Sequence, residues 1–242
     1  MQRPKNVASL MIVTSKGTRV GEKFVEPPFA RGLDVGIALG AVIVLSPLFL
    51  ISAILILFVD GPPVFFRQKR VGRHGELFNI LKFRTMEIEN GGPGITAAGD
   101  RRVTLVGAKL RKYKLDELPQ FFCVLRGHMS VIGPRPEVPE YVEPSDHLWE
   151  AVLQMRPGIT DLASLAFRNE EDMLALAEDL ETLYRNSVLP EKLRLNIAYQ
   201  RSRSLTRDLK LLWMTALYSF YPKGFDPDRV MEALSAWRKK EL

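Results

Sequence analysis

Cysteine occurs once in these 242 residues, at position 123, so no disulfide can close within the chain, and a reducing compartment fits. Histidine is almost as scarce. His74, His128 and His147 are scattered, and with a single cysteine they give no spacing for a structural zinc site. Internal repeats and low-complexity tracts are absent. No secretory leader is expected either, because the long apolar run starts too late and has no small-residue cleavage site after it. The most telling absence is of charge, since none falls between Asp34 and Asp60. The uncharged run from Val35 to Val59 exceeds the roughly 20 residues that a membrane-crossing helix requires.

Ser46 and Pro47 stand in the middle of that run. Proline inside a helix removes one backbone hydrogen bond and bends the axis, and a neighbouring serine can satisfy the freed carbonyl. Each half is then about 18 Å long, too short for a hydrocarbon core of about 30 Å. Lys23 and Arg31 precede the run, and Arg67, Lys69, Arg70 and Arg73 follow it, so basic residues on both sides give no crossing direction. Two readings remain: a re-entrant helix whose ends stay on one face, or a kinked transmembrane helix.

The rest of the chain suits a globular domain, at 46% hydrophobic residues overall, and the net charge of +6 points to an anionic partner. Residues 1–30 are basic, and Val7–Thr14 reads equally as strand or surface helix. Pro62-Pro63 turns the chain into a short strand ending near Arg67, and Leu77–Arg84 reads as a second. Gly72-Arg-His-Gly75 supplies the hairpin turn between them. Alternation puts Lys82 and Arg84 on one face of the second strand. Glu89–Asp100, with four glycines and Pro93, reads as a binding loop or lid.

Arg101–Leu115 is basic and helix-compatible, and it leads into Asp116-Glu117-Leu118-Pro119-Gln120. Asp116 is placed to cap a short helix ending before Gly127, with Pro119 tolerated in the first turn. A helix start flanked by Arg and Lys also suits a phosphate. On those five residues alone, the plain reading of a cap and a solvated acid is the stronger. Gly133-Pro134 and Pro136 hold Arg135 rigidly, as two-pronged anion binding requires, and Arg156-Pro-Gly-Ile-Thr160 repeats the device. Helical spacing covers 170–183 and 191–217, where Leu205, Leu209, Leu212 and Ala216 share a face with Trp213 alongside. That stripe packs on the domain or a membrane surface. Val230–Trp237 forms an amphipathic tail.

Taken together, Phe78-x-x-x-Lys82-Phe-Arg-Thr-Met86, Asp100-x-Arg102-x-Thr104-x-x-Gly107, Arg111-x4-Asp116-Glu117-Leu-Pro-Gln120, Gly133-Pro-Arg-Pro136 and Arg156-Pro-Gly-Ile-Thr160 resemble, in order and spacing, the bacterial sugar transferases. These are small monotopic polyprenyl-phosphate phosphoglycosyl transferases, and the resemblance runs from about Arg31 to Leu217. It implies a bacterial inner-membrane enzyme on the cytosolic face. Such an enzyme moves a sugar 1-phosphate from a UDP-sugar to undecaprenyl phosphate and releases UMP, the first membrane step of a surface glycoconjugate pathway. Carried over, Asp116 is the nucleophile that forms a covalent phosphosugar intermediate. Glu117 positions the metal or manages protons, and Mg²⁺ is the cofactor, with Asp116 and Glu117 its candidate ligands. Lys82, Arg84, Arg102, Arg111, Arg135 and Arg156 are the candidate phosphate and substrate ligands, and Ser46-Pro47 matches the family's membrane bend.

The chain departs from the family at Cys123 and His128, where an Asn and an Asp are common. It also departs at Asp161–Glu171, where Gly-Trp-Ala-Gln is common. The expected fold is α+β and mainly helical: a re-entrant membrane helix hairpin joined to a small cytosolic catalytic domain with a short β-hairpin. Its expected parts are 1–30, a basic segment; 31–61, the membrane helix; 62–222, the catalytic domain; and 223–242, an amphipathic helix. Membrane lipids are expected neighbours, and a homodimer is compatible with the sequence. No groove-reading motif accompanies the basic charge, so no nucleic acid is expected. A membrane-anchored protein that binds an anion without catalysis is the competing class. Bare acids inside a cationic pocket argue against it.

Overall fold

The computed structural model describes residues 24, 26–27, 29–87, 99–175, 177–221 and 224. The expectations for Val7–Thr14, most of the 89–100 loop and all of the 223–242 tail but Gly224 lie outside the described residues. Helix α1 (Ala30–Val44) and helix α2 (Ser46–Leu55) meet at a bend of 59°, with α2 running on as a wider turn to Asp60. Pro47 sits in the first turn of α2, where its missing N–H costs least. The carbonyl that a residue-47 N–H would have bonded is that of Ile43. Ser46 Oγ donates to it at 2.8 Å, as the sequence leads one to expect. Among the described residues no single helix is long and apolar enough to cross a membrane, although the bent pair together passes that test.

The first half of this pair is fastened to the domain. Arg31 donates to the last carbonyls of the Gln120–Leu125 helix, those of Val124 and Leu125, at 2.8 and 3.2 Å. Asp34 accepts from Ser130 Oγ and the Val131 N–H, both at 2.8 Å. The second half packs one face on the domain through Phe49 and the fully buried Ile56 and turns the other outward, with Leu50, Ile51 and Phe58 52–81% exposed. So large a contiguous apolar surface is rare on a soluble monomer.

Strands β1 (Phe65–Val71) and β2 (Leu77–Phe83) pair antiparallel from Phe65↔Phe83 to Val71↔Leu77, which is the expected hairpin. At its tip His74 and Gly75 adopt positive φ. Helix α3 (Leu105–Lys112) follows, capped by Thr104, whose hydroxyl accepts from the Gly107 N–H and donates to Asp60 Oδ2 at 2.7 Å. The end of the bent pair is thereby stitched to the start of α3. Helix α4 (Gln120–Leu125) leads to β3 (Ser130–Ile132), which pairs parallel with β4 (Gly158–Thr160) across helix α5 (His147–Val152).

The remaining helices are α6 (Leu162–Ala166), α7 (Glu170–Leu174), α8 (Leu180–Leu183), α9 (Leu189–Arg201) and α10 (Leu205–Phe220). The expected 191–217 helix is therefore two, because Ser204 turns extended and caps α10 by accepting from the Arg207 N–H. Its expected apolar face divides as well. Leu212 packs against the core, whereas Leu205, Leu209 and Trp213 are exposed.

Gly133 and Gly158 bring β3 and β4 into direct backbone contact. A Cβ on Gly158 would lie 2.1 Å from the Gly133 nitrogen. Gly158→Ala must push the two strands apart and is expected to cost about 3 kcal/mol. A thermal-unfolding midpoint unchanged from wild type would refute this.

Candidate active site

Lys114, just past the end of α3, lies in the left-handed region (φ 57°) and throws the chain into a tight turn, Leu115–Glu117. This turn, and not a helix N-cap, is where Asp116 and Glu117 sit. The N-cap of α4 is Pro119, and it receives no side-chain cap. The expectation of a capping Asp116 is thus corrected: the left-handed Lys114 carries the acids one turn upstream of α4 and buries both.

The two carboxylates have opposite surroundings. Glu117 is gripped by Arg135, with Nη2 to Oε1 at 2.6 Å and Nη1 to Oε2 at 3.2 Å, and Lys82 Nζ is 3.5 Å from Oε1. Burial alone would push its pKa up, but Arg135 and Lys82 together hold it well below the usual carboxylate range. Asp116 has no such clamp. Its Oδ1 is buried and meets no hydrogen-bond partner among the described residues. Burial and then the neighbouring charge of Glu117 raise its pKa. Lys82, buried beside them, is pulled down to about 8 by desolvation against the pull of Glu117.

These groups line a cleft of about 660 Å³, together with Arg111, Lys112, Lys114, Arg168, Glu171 and Asp172. Arg111 projects from α3 and pairs with Glu171. Arg135 is fixed through its backbone too. Its N–H donates to Asp161 Oδ2 at 2.9 Å, while Asp161 caps α6 through the N–H of Ser164 and accepts from the Ser164 hydroxyl, both at 2.7 Å. Asp161 and Ser164 stand where the sequence departs from the pattern it resembles.

Of the expected cations, Lys82, Arg111 and Arg135 converge on the acid pair. Arg84 does not. Strand β2 ends at Phe83, so the alternation that would have set Arg84 beside Lys82 lapses. Its guanidinium instead caps the end of the bent helix pair at the carbonyls of Asp60 and Gly61, a favourable place for a cation. Arg102 forms a two-pronged pair with Asp100 at the cleft rim. Arg156 points toward Glu26, at 3.7 Å, outside the cleft.

Sequence reasoning passes over Lys114, Arg168 and Asp161, which acquire meaning only once distant segments meet. It also misses a neighbouring chamber of about 210 Å³, lined in part by Glu137, Glu170, Tyr184 and Lys192. There Tyr184 donates to Glu137 at 2.7 Å, and Lys192 bonds Glu170 at 3.0 Å. Among the described residues no group of three or more His, Cys, Asp or Glu side chains is arranged to hold a metal unaided.

A family model described as Bacterial sugar transferase matches residues 25–221. The exopolysaccharide production protein ExoY of Sinorhizobium fredii is 42% identical over 158 residues, covering 58% of this chain and 70% of that protein. A UDP-glucose:undecaprenyl-phosphate glucose-1-phosphate transferase of Caulobacter vibrioides is 38% identical over 190 residues, covering 76% of this chain and 67% of that protein. A UDP-N-acetylgalactosamine-undecaprenyl-phosphate N-acetylgalactosaminephosphotransferase of Aeromonas hydrophila is 43% identical over 142 residues, covering 56% of this chain and 33% of that protein.

Proposed function

The chain belongs to the bacterial sugar transferase family, and from that premise we propose that it moves a sugar 1-phosphate from a UDP-sugar to undecaprenyl phosphate by way of a phosphosugar ester on Asp116. One observation carries the choice of nucleophile. Asp116 is buried, has an oxygen with no partner among the described residues and faces a cleft lined by cations, whereas Glu117 has both oxygens committed to Arg135 and Lys82.

A carboxylate oxygen of Asp116 attacks the β-phosphorus of the donor. The bond from that phosphorus to the bridging oxygen breaks, and UMP leaves with its electron pair. An oxygen of the lipid phosphate then attacks the same phosphorus. The Asp116–phosphorus bond breaks, leaving the lipid diphosphate sugar and a free carboxylate. Arg111, Arg135 and Lys82 offset the negative charge that gathers in each step, from fixed positions that need little rearrangement. Glu117 serves by holding Arg135 and Lys82 in place.

Magnesium fits this cleft as an ion shared with the substrate, because Mg²⁺ commonly takes one or two carboxylates and completes its shell with phosphate oxygens and water. The partnerless Oδ1 of Asp116 suits one of those positions, and Glu117, already committed, suits it less. When bound, the ion supplies charge neutralisation at the diphosphate.

The bent apolar helices support a site at a membrane surface, which we take to be the cytosolic face of the bacterial inner membrane, with α1 and α2 entering and returning on one side. A straight helix over residues 30–60 would be about 45 Å long and could span. Pro47→Leu is therefore expected to move the N-terminus across the membrane. The measurement is labelling of Lys5→Cys, in a Cys123→Ser background, by an impermeant thiol reagent on intact cells. Protection while Pro47 is present and labelling in the Pro47→Leu variant support the re-entrant reading. Protection in both removes the role given to the proline.

The named relatives differ in sugar, so the donor is to be found by assay. Wild type with Mg²⁺ and undecaprenyl phosphate is offered a panel of UDP-sugars, and UMP is measured. Lipid-dependent UMP from one sugar supports the transferase. Binding of the UDP-sugars without any UMP favours the anchored anion-binding protein instead.

A further inference from the structure

We propose that an apolar groove between α10 and the bend of the helix pair receives the first isoprene units of the lipid acceptor and delivers its phosphate to the acid pair. This rests on the transferase reading above and assigns the acceptor a path separate from the donor's.

The groove encloses about 250 Å³. Leu45 and Leu48 at the bend line it on one side, Leu212, Ala216 and Phe220 line it from α10, and Leu118 adds to its apolar lining. The α10 residues recur every four positions, so they make one continuous stripe along the helix. Its inner end changes character, since Lys114, Glu117, Arg135 and Arg168 line both this groove and the charged cleft. Phe220, which lines the groove, is itself 69% exposed.

A single occupant fits both ends. A polar nucleotide sugar would leave leucine and phenylalanine walls against hydroxyls and charge. Inorganic phosphate would leave them empty. An amphiphile with one narrow hydrocarbon chain and a phosphate head buries the chain between α10 and the bend, and its anion falls among the three cations. The bent helices and α10 then have a shared purpose beyond anchoring: they form the entry from the bilayer to Asp116. The donor enters by the larger charged cleft, and the two ligands compete only at the shared cations. One phosphate at a time can occupy that point, which is what a two-step transfer requires.

Ala216 is the smallest residue of the α10 wall, so enlarging it obstructs the groove without touching the donor cleft. Ala216→Trp, and the milder Ala216→Leu should the first not fold, are compared with wild type in two assays. Lipid-dependent kcat/KM for undecaprenyl phosphate is expected to fall about tenfold or more. The single-turnover burst of UMP without lipid is expected to keep its amplitude. Equal loss in both assays, or no loss in either, overturns the groove. A second readout needs no turnover: farnesyl phosphate with a diazirine on its first isoprene unit is photolysed with the full chain. Labelling within residues 212–220 that undecaprenyl phosphate displaces, and inorganic phosphate does not, supports the groove. Labelling elsewhere overturns it while the transferase stands. A wild type that shows neither burst nor turnover overturns the transferase reading, whatever the label does.

Discussion

Asp116→Asn is expected to abolish lipid-dependent UMP release, by about 10⁴-fold or more, and to eliminate the single-turnover burst as well. The amide keeps the shape of the side chain but has neither the charge nor the electron density to attack phosphorus. Burial strips water from the native carboxylate, and the adjacent Glu117 charge raises its proton affinity further. A carboxylate so placed is a better nucleophile than one in solution, provided it is ionised when the donor arrives. Stability should move the other way. The folded pKa of Asp116 lies above the unfolded value of 3.8, so the stability linked to its protonation is present below pH 3.8 and lost as pH rises through the folded value. Asparagine cannot ionise, and no hydrogen bond to Oδ1 is sacrificed. The variant should therefore match or exceed the wild-type unfolding midpoint at neutral pH while being inactive. Activity in Asp116→Asn would end the covalent mechanism. Inactivity with a collapsed midpoint would mean that the residue holds the fold and not the phosphosugar.

That contrast between two adjacent acids is beyond the reach of sequence reasoning, although much around it is legible. The hairpin of β1 and β2 is readable because its turn residues and alternation are local. The bend at Ser46-Pro47 is readable because a proline's effect on its own helix is local too. The rigid setting of Arg135 between prolines can be seen, but not that its partner is Glu117, 18 residues away. Asp116 reads as a helix cap because nothing in the letters shows Lys114 entering the left-handed region. Arg84 pairs with Lys82 under a period-of-two rule that holds only while the strand lasts, and the strand ends one residue earlier. Arg168 and Asp161 have no local signature at all. They reach the site because β4 pairs with β3 and sets α6 beside Arg135, a long-range event.

The fork of Arg135 makes the second strong prediction. Arg135→Lys is expected to lower kcat/KM about 100-fold, since an ammonium cannot make the two parallel bonds that now fix Glu117 and cannot present a planar face to a phosphate. Arg135→Ala should cost more activity and some stability, because only Lys82, itself pulled down to about 8, and the weaker pull of Lys114 then act against the burial of the Glu117 carboxylate. The sign of its pH dependence follows from Glu117. Burial opposes ionisation, yet Arg135 and Lys82 overcome it, so the folded pKa lies below the unfolded 4.5. The stability this group contributes is present above pH 4.5 and lost as pH falls through the folded value. The gap in unfolding midpoint between wild type and Arg135→Ala should thus be widest at neutral pH and narrow below pH 4.5. A gap that stays constant with pH would show that Arg135 stabilises through packing and its backbone bond to Asp161, not through Glu117. If Arg135→Lys retains full activity, a single positive charge suffices at that position, and the prolines that hold the guanidinium serve the backbone alone.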